Sequence, residues 1–142
     1  MYLDSAYIAK FYVNERDSDA VRELIRGADT LISSAWSLAE VTSVFHRHMR
    51  EGALLPAHCR ELARAFLKHV DSGVWNLVPV SEFLLKRVSS LVSTTPKEVY
   101  LRAGDAVHLT TARESGEREL WTSDRHLLRA ARHFGLEGRS VH

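Results

Sequence analysis

The chain has 142 residues, of which 45% are hydrophobic and 26% charged, a balance that suits one compact domain over residues 1–142 and excludes a disordered or low-complexity polypeptide. No apolar run approaches the roughly 20 residues that span a bilayer, and the start, MYLDSAYIAK, lacks the basic, apolar and small-residue zones of a signal peptide. The net charge of +1 does not announce a polyanion binder, and the single Cys59 cannot form an internal disulfide, which agrees with a reducing cytoplasm.

In chain order, Tyr2-Leu3-Asp4 is a short apolar start that runs into SAYIAKFYVNE, which reads as a helix. Asp17-Ser18-Asp19 offers N-cap chemistry before AVRELIRGA, a helix with Gly27 near its end. Thr30 to Ser33 is a β-branched and apolar run, hence a strand. AWSLAEVTSVFHRHMREG predicts a long helix stopped around Gly52, and Pro56 suits the first turn of the next, which runs to about Asp71. Val74 to Val80 reads as a strand, and Ser81 with Leu84, Leu85 and Val88 opens another helix. RAGDAVHLTTARESG is helical, ELWTS is a strand, RHLLRAARHFG is a helix ended by Gly135, and Arg139 to Val141 makes a last edge strand. Short strands alternating with helices predict an α/β fold with a parallel sheet covered on both faces. Ligand sites in such folds lie outside the carboxyl ends of the strands.

Four acids stand out against that pattern. Asp4 and Asp124 directly follow strands, whereas Glu40 and Asp105 lie on helices with apolar neighbours one turn away. Trp36 and Val44 share the stripe of Glu40, and Leu101, Leu109 and Ala112 share that of Asp105. A carboxylate in apolar surroundings costs free energy unless a cation or hydrogen bonds compensate it. Each also has a plainer explanation: Asp4 and Asp124 as helix caps, Glu40 as an arginine partner or rim residue, Asp105 as a partner of Arg102. Together, two acids at strand ends and two on converging helices would form one acidic pocket. Clustered carboxylates repel one another and need counter-charge, which a hard divalent cation supplies through oxygen ligands. Two such ions roughly 4 Å apart suit phosphodiester hydrolysis.

Four pieces of the chain resemble PIN-domain ribonucleases, and within them the VapC-type toxins of toxin–antitoxin pairs: LDSAYIAKFY around Asp4, SSAWSLAEVTSVFHR around Glu40, LRAGDAVHLTTA around Asp105 and WTSDRHLLRAARHFGL around Asp124. The resemblance implies a PIN-like three-layer fold, with a central parallel sheet of about five strands ordered 3-2-1-4-5. It implies that Asp4, Glu40, Asp105 and Asp124 hold magnesium or manganese, directly or through water, and that Thr122 steadies an acid or a water by its hydroxyl. The expected reaction is endonucleolytic cleavage of RNA leaving a 5′-phosphate and a 3′-hydroxyl. The expected partners are a VapB-like antitoxin laid over the acidic groove and a second copy of the chain. A nuclease of RNA processing or decay, or an inactive PIN scaffold, are the alternatives. Two departures from the family pattern are Ala6, where a small hydroxyl or amide residue is usual, and Gly104, where a larger apolar residue is usual. Ser5 offers a hydroxyl beside Ala6.

Other chemistries lack their motifs. His46 and His48 point to different sides of a helix, and no histidine–cysteine spacing fits zinc. GxSxG, GxxxxGK[ST] and GxGxxG are absent. A haloacid-dehalogenase phosphatase needs a second Asp where Ala6 stands. Trp36, Trp75 and Trp121 are expected to fill the core or an interface, and His108, one turn after Asp105, to pack or bind a partner rather than to catalyse. Bases outnumber acids from His46 to His69 and again from Arg125 onward. Since RNA must approach a negative pocket, Lys10, Arg47, Arg50 and Arg125 are expected to contact phosphates, with surface ion pairs as the plainer alternative.

Overall fold

The computed structural model describes residues Met1–His142. Five short strands, β1 (Tyr2–Leu3), β2 (Ile32–Ser34), β3 (Asn76–Val78), β4 (Glu119–Trp121) and β5 (Glu137–Arg139), form one sheet in the order β3-β2-β1-β4-β5, every pair parallel. The helices are α1 (Ser5–Tyr12), α2 (Ser18–Arg26), α3 (Ser37–Arg50), α4 (Pro56–Asp71), α5 (Glu82–Ser93), α6 (Ala103–Glu114) and α7 (Arg125–Ala130), the last continued by a 3₁₀ turn over Ala131–Phe134. The predicted strand order therefore holds. No helix is long and apolar enough to cross a membrane.

Two hydrophobic clusters flank the sheet, and the central strand feeds both. Successive side chains of a strand point to opposite faces. Leu3 joins a cluster with Tyr7, Ile8, Val41, Phe45 and Phe66, while Tyr2 joins one with Leu109, Leu120, Leu127 and Phe134. With both faces covered, β1 is buried throughout. Its carboxyl end, and Asp4 with it, is thereby fixed from two sides.

Several boundaries differ from expectation for local reasons. The first helix stops at Tyr12, because Val13 turns extended and its carbonyl accepts from Ser18 Oγ (3.0 Å) and Arg22 Nη2 (3.1 Å). Asp17 precedes α2 in the left-handed region (φ 69°), but its side chain caps nothing. The last strand begins two residues earlier than expected, at Glu137, and includes Gly138 rather than Val141. Gly138 is needed there: a β-carbon would sit 2.8 Å from the Leu128 carbonyl oxygen, so only glycine lets the strand pass beneath α7. Such a strand has no β-branched signature to read. The long helix expected over RHLLRAARHFG tightens into its 3₁₀ turn at Ala131 and ends on Gly135 at φ 73°.

Candidate active site

The site is built at the carboxyl ends of β1, β2 and β4. Asp4 leaves β1 and caps α1, its Oδ1 accepting from the Tyr7 N–H (2.9 Å). Its Oδ2 accepts from the hydroxyl of Thr122, which leaves β4. The same Thr122 oxygen accepts from the Asp124 N–H (2.9 Å), so one hydroxyl sets the spacing of two strand-end acids. Asp124 in turn caps α7, its Oδ1 accepting from the N–H groups of His126 (2.7 Å) and Leu127 (3.2 Å). Capping and site-building are thus carried out by the same atoms, and for Asp4 and Asp124 the plain and the functional explanations are not alternatives.

Asp105 lies in the first turn of α6 and is bound on both oxygens by Arg102, with Nε at 2.9 Å from Oδ2 and Nη2 at 3.3 Å from Oδ1. The Arg102 Nη2 also donates to Asp124 Oδ2 at 2.8 Å. One guanidinium therefore bridges an acid of α6 and an acid that follows β4. The expected pairing of Asp105 with Arg102 is present, and the reach to Asp124 extends it. Two carboxylates hold the Arg102 guanidinium well above its ordinary pKa, chiefly through the hydrogen bonds and charge of Asp105.

Glu40, on α3, is tied differently. Its Oε1 accepts from Ser5 Oγ (2.9 Å) and from His108 Nε2 (2.7 Å). His108 is buried, and its Nδ1 lies 2.9 Å from the Tyr2 hydroxyl. An Nε2–H donates to the Glu40 carboxylate, and Nδ1 shares a hydrogen bond with the Tyr2 hydroxyl. Ser5 also touches Ser37 (2.9 Å), Ser37 touches Ser33 (2.9 Å), and Ser33 donates to the Leu3 carbonyl (2.7 Å). A chain of hydroxyls thus ties Glu40 to the ends of β1 and β2.

The electrostatics divide along the same lines. Burial pushes the Asp4 carboxyl above its ordinary range, against the opposing hydrogen bonds of Thr122 and Tyr7. Burial also acts to raise Glu40, but His108, Ser5 and the charge of Arg102 outweigh it and hold that carboxyl low. Glu40 raises Asp4 through space, so the two acids share one field.

All four expected acids therefore converge on one edge, with Thr122 and Ser5 bonded to them. As the side chains stand, no three His, Cys, Asp or Glu residues are grouped to ligate a single ion. A hard divalent cation needs only one or two carboxylates, with water and substrate phosphate filling the rest of its shell. The candidate donors are all hard carboxylate oxygens, the type that hard divalent cations prefer.

The expected phosphate-binding residues are scattered. Lys10 is buried, its Nζ donating to Ser123 Oγ (3.2 Å) beside Asp124. Arg125 lines a small cavity with Asp124. Arg47 and Arg50 lie roughly 10 and 15 Å along α3 from Glu40, and Arg47 pairs with Glu15 at 3.4 Å. Trp75 fills the core, but Trp36 does not: it is 45% exposed, with its indole nitrogen 3.3 Å from where a β-carbon on Gly104 would sit. Glu40 Oε2 is 3.5 Å from the same point, so glycine at 104 is what lets the start of α6 approach α3. The reach of His108 to Glu40 and the role of Ser37 are not legible in the sequence. A histidine one turn beyond an acid is the only signal there.

Comparison with known proteins agrees with this fold. The PIN domain family model matches residues 1–133. The chain is 34% identical over 138 residues to Ribonuclease VapC46 of Mycobacterium tuberculosis, covering 96% of this chain and 93% of that protein. Its fold superposes on the crystal structure of VapC20 from the same organism, described as a sarcin–ricin loop cleaving toxin, with a TM-score of 0.71 at 15% identity, covering 91% of this chain and 93% of that one. A strand order of 3-2-1-4-5, acids at the ends of β1 and β4, and a family match over nearly the whole length lead to one conclusion: the chain belongs to the PIN-domain family.

Proposed function

We propose that the chain is a magnesium- or manganese-dependent endoribonuclease, the toxin of a type II toxin–antitoxin pair. The observation that carries this is the meeting of Asp4, Glu40, Asp105 and Asp124 from four separate elements, in a chain similar over its length to a VapC ribonuclease. Retention of all four acids disfavours an inactive scaffold. A processing nuclease would share the chemistry and differ in its partner.

Asp4, Glu40, Asp105 and Asp124 would hold the metal, directly or through water. When bound, the divalent ion supplies the positive charge that activates the attacking water and steadies the leaving oxygen. The protein's part is positioning. Thr122 keeps Asp4 and Asp124 at a fixed separation, and Asp124 spends Oδ1 on α7 while leaving Oδ2 for exchangeable partners. Ser5 and His108 anchor Oε1 of Glu40, which aims Oε2 toward the start of α6. Arg102 supplies counter-charge to Asp105 and Asp124 and, with a side chain 56% exposed, is free to swing aside toward a substrate phosphate.

The substrate is RNA, and the partner is a VapB-like antitoxin whose C-terminal segment covers the acidic groove. The chain acts in the cytoplasm and pairs with a second copy, for which Phe83, Leu85 and Val92 on α5 offer exposed apolar surface. The test is RNA cleavage by the purified chain with magnesium, with excess chelator, and with metal restored. Loss and recovery of cleavage are expected. Cleavage that persists undiminished in chelator would overturn the metal-dependent reading.

A further inference from the structure

Beside the acidic centre lies a groove that the proposed chemistry does not use. Asp124, Arg125, His126 and Arg129 line a cavity of about 380 Å³. His126 and Arg129 continue into a second, of about 710 Å³, whose walls include Tyr100, Arg132 and His133. Both cavities are lined by His126 and Arg129, so they lie side by side along α7, a path whose inner end is at Asp124, a candidate metal-binding acid. Arg125, Arg129 and Arg132 have no carboxylate within salt-bridge distance. Glu98 and Asp124 are the acids along the path, so its walls carry an excess of uncompensated positive charge.

Tyr100 provides the other half of the chemistry. It is 55% exposed, and its ring leans on His126 with centroids 4.3 Å apart and planes at 42°. The ring is therefore supported from one side and open to solvent. It stands two residues before Arg102, whose guanidinium touches Asp124. An aromatic face among unpaired arginines suits one class of ligand, a nucleotide whose base stacks while its phosphates pair with guanidinium groups.

We propose that this groove is a subsite for one unpaired nucleotide of single-stranded RNA next to the cleaved bond, its base stacked on Tyr100 and its flanking phosphates held by Arg129 and Arg132. The proposal rests on the ribonuclease reading and adds a requirement to it. The base must be free of pairing, because a base inside an A-form duplex cannot present its face to a side chain. Cleavage is therefore directed to loops, bulges or ends.

The test uses the whole chain carrying Asp4→Asn to stop cleavage, and a short single-stranded RNA with 2-aminopurine at successive positions. At one position, binding should quench the fluorescence by stacking. Tyr100→Ala should remove that quench and weaken binding roughly five- to hundredfold, whereas Tyr100→Phe should preserve both. Arg129→Gln with Arg132→Gln should flatten the plot of log affinity against log salt by roughly 0.7 for each phosphate no longer neutralised. Annealing the probe to its complement should abolish the quench. Unchanged quench and affinity in Tyr100→Ala, with a wild-type chain that still cuts RNA, would overturn the subsite alone. A wild-type chain that neither cuts nor binds RNA would overturn the ribonuclease reading as well.

Discussion

The two halves of the acidic centre are held by opposite means. Glu40 and Asp4 are wired into the interior, through His108, Ser5 and Tyr2 on one side and Thr122 and Tyr7 on the other. Asp105 and Asp124 are joined to each other by one largely exposed guanidinium, Arg102. Buried hydrogen-bonded networks rigidify, because breaking any member leaves a polar group without water to replace its partner. A solvent-exposed ion pair is worth at most about 1 kcal/mol and exchanges partners readily. The contrast teaches that Glu40 and Asp4 are preorganised by folding on both oxygens or through buried partners, while Asp105 and the Oδ2 of Asp124 answer to a guanidinium that can exchange.

The comparison breaks first at the acids. Asp4→Asn, Glu40→Gln and Asp105→Asn should each lower the cleavage rate by roughly a hundredfold or more, since each removes a charge proposed to hold the metal and leaves a near-isosteric amide. Asp124→Asn should cost less, because its Oδ1 goes to capping α7 and only Oδ2 faces the site. Single-turnover cleavage with circular dichroism as a folding control reads both. Wild-type rates in all of the first three variants would remove the site assignment.

Next in size is the buried wiring. His108→Ala removes the Tyr2 hydroxyl's hydrogen-bond partner and leaves Glu40 Oε1 with Ser5 alone, and an unsatisfied buried polar group costs about 1–3 kcal/mol. Urea unfolding should show that loss. The cleavage rate should fall while manganese affinity changes little, because His108 positions an acid without itself facing the metal. His108→Gln, which can still donate to Glu40, should recover part of the rate.

Asp4 and Glu40 should differ in how pH acts on stability without metal. The folded-state pKa of Asp4 is raised, so the native state binds its proton more tightly than the unfolded chain. The stability Asp4 contributes is full below its ordinary value of 3.8 and is lost as pH rises through the folded value. Glu40 has the opposite sign: its contribution is present above 4.5 and is lost as pH falls through its lowered value. At neutral pH with chelator, Asp4→Asn should therefore raise the melting temperature and Glu40→Gln lower it, and both differences should shrink in acid. A scan of melting temperature against pH checks the two signs together.

The smallest effect is expected at the adjustable half. Arg102→Gln frees Asp105 and Asp124 from a competing cation, so manganese should bind a few-fold more tightly in a calorimetric titration, with stability changed by less than about 1 kcal/mol. Equal or weaker manganese binding would mean that Arg102 organises the acids for the metal instead of competing with it.

Local pattern carries much of this. The alternation of short apolar runs with helices locates the first four strands, and the family resemblance supplies the sheet order. Asp4 and Asp124 stand out because an acid directly after a strand is legible in one dimension, and Thr122 comes with the same motif. The strand at Glu137–Arg139 begins two residues before the position that propensity suggests, because Gly138 there answers to the backbone of α7 and not to any strand preference.

What the chain order does not disclose are bonds between residues far apart in sequence. His108 lies 68 positions from the Glu40 it anchors, Arg102 lies 22 from Asp124, and Tyr100 meets His126 across two elements. Periodicity reports which face of a helix or strand is apolar, since that depends on near neighbours along the chain. Which buried histidine meets which carboxylate, and whether Trp36 is covered or exposed at the mouth of the site, depends on how the helices dock on the sheet. The sequence alone therefore determined the fold class and marked the acids, whereas the tertiary structure decided how each acid is held, because partners that distant meet only once both faces of the sheet are packed.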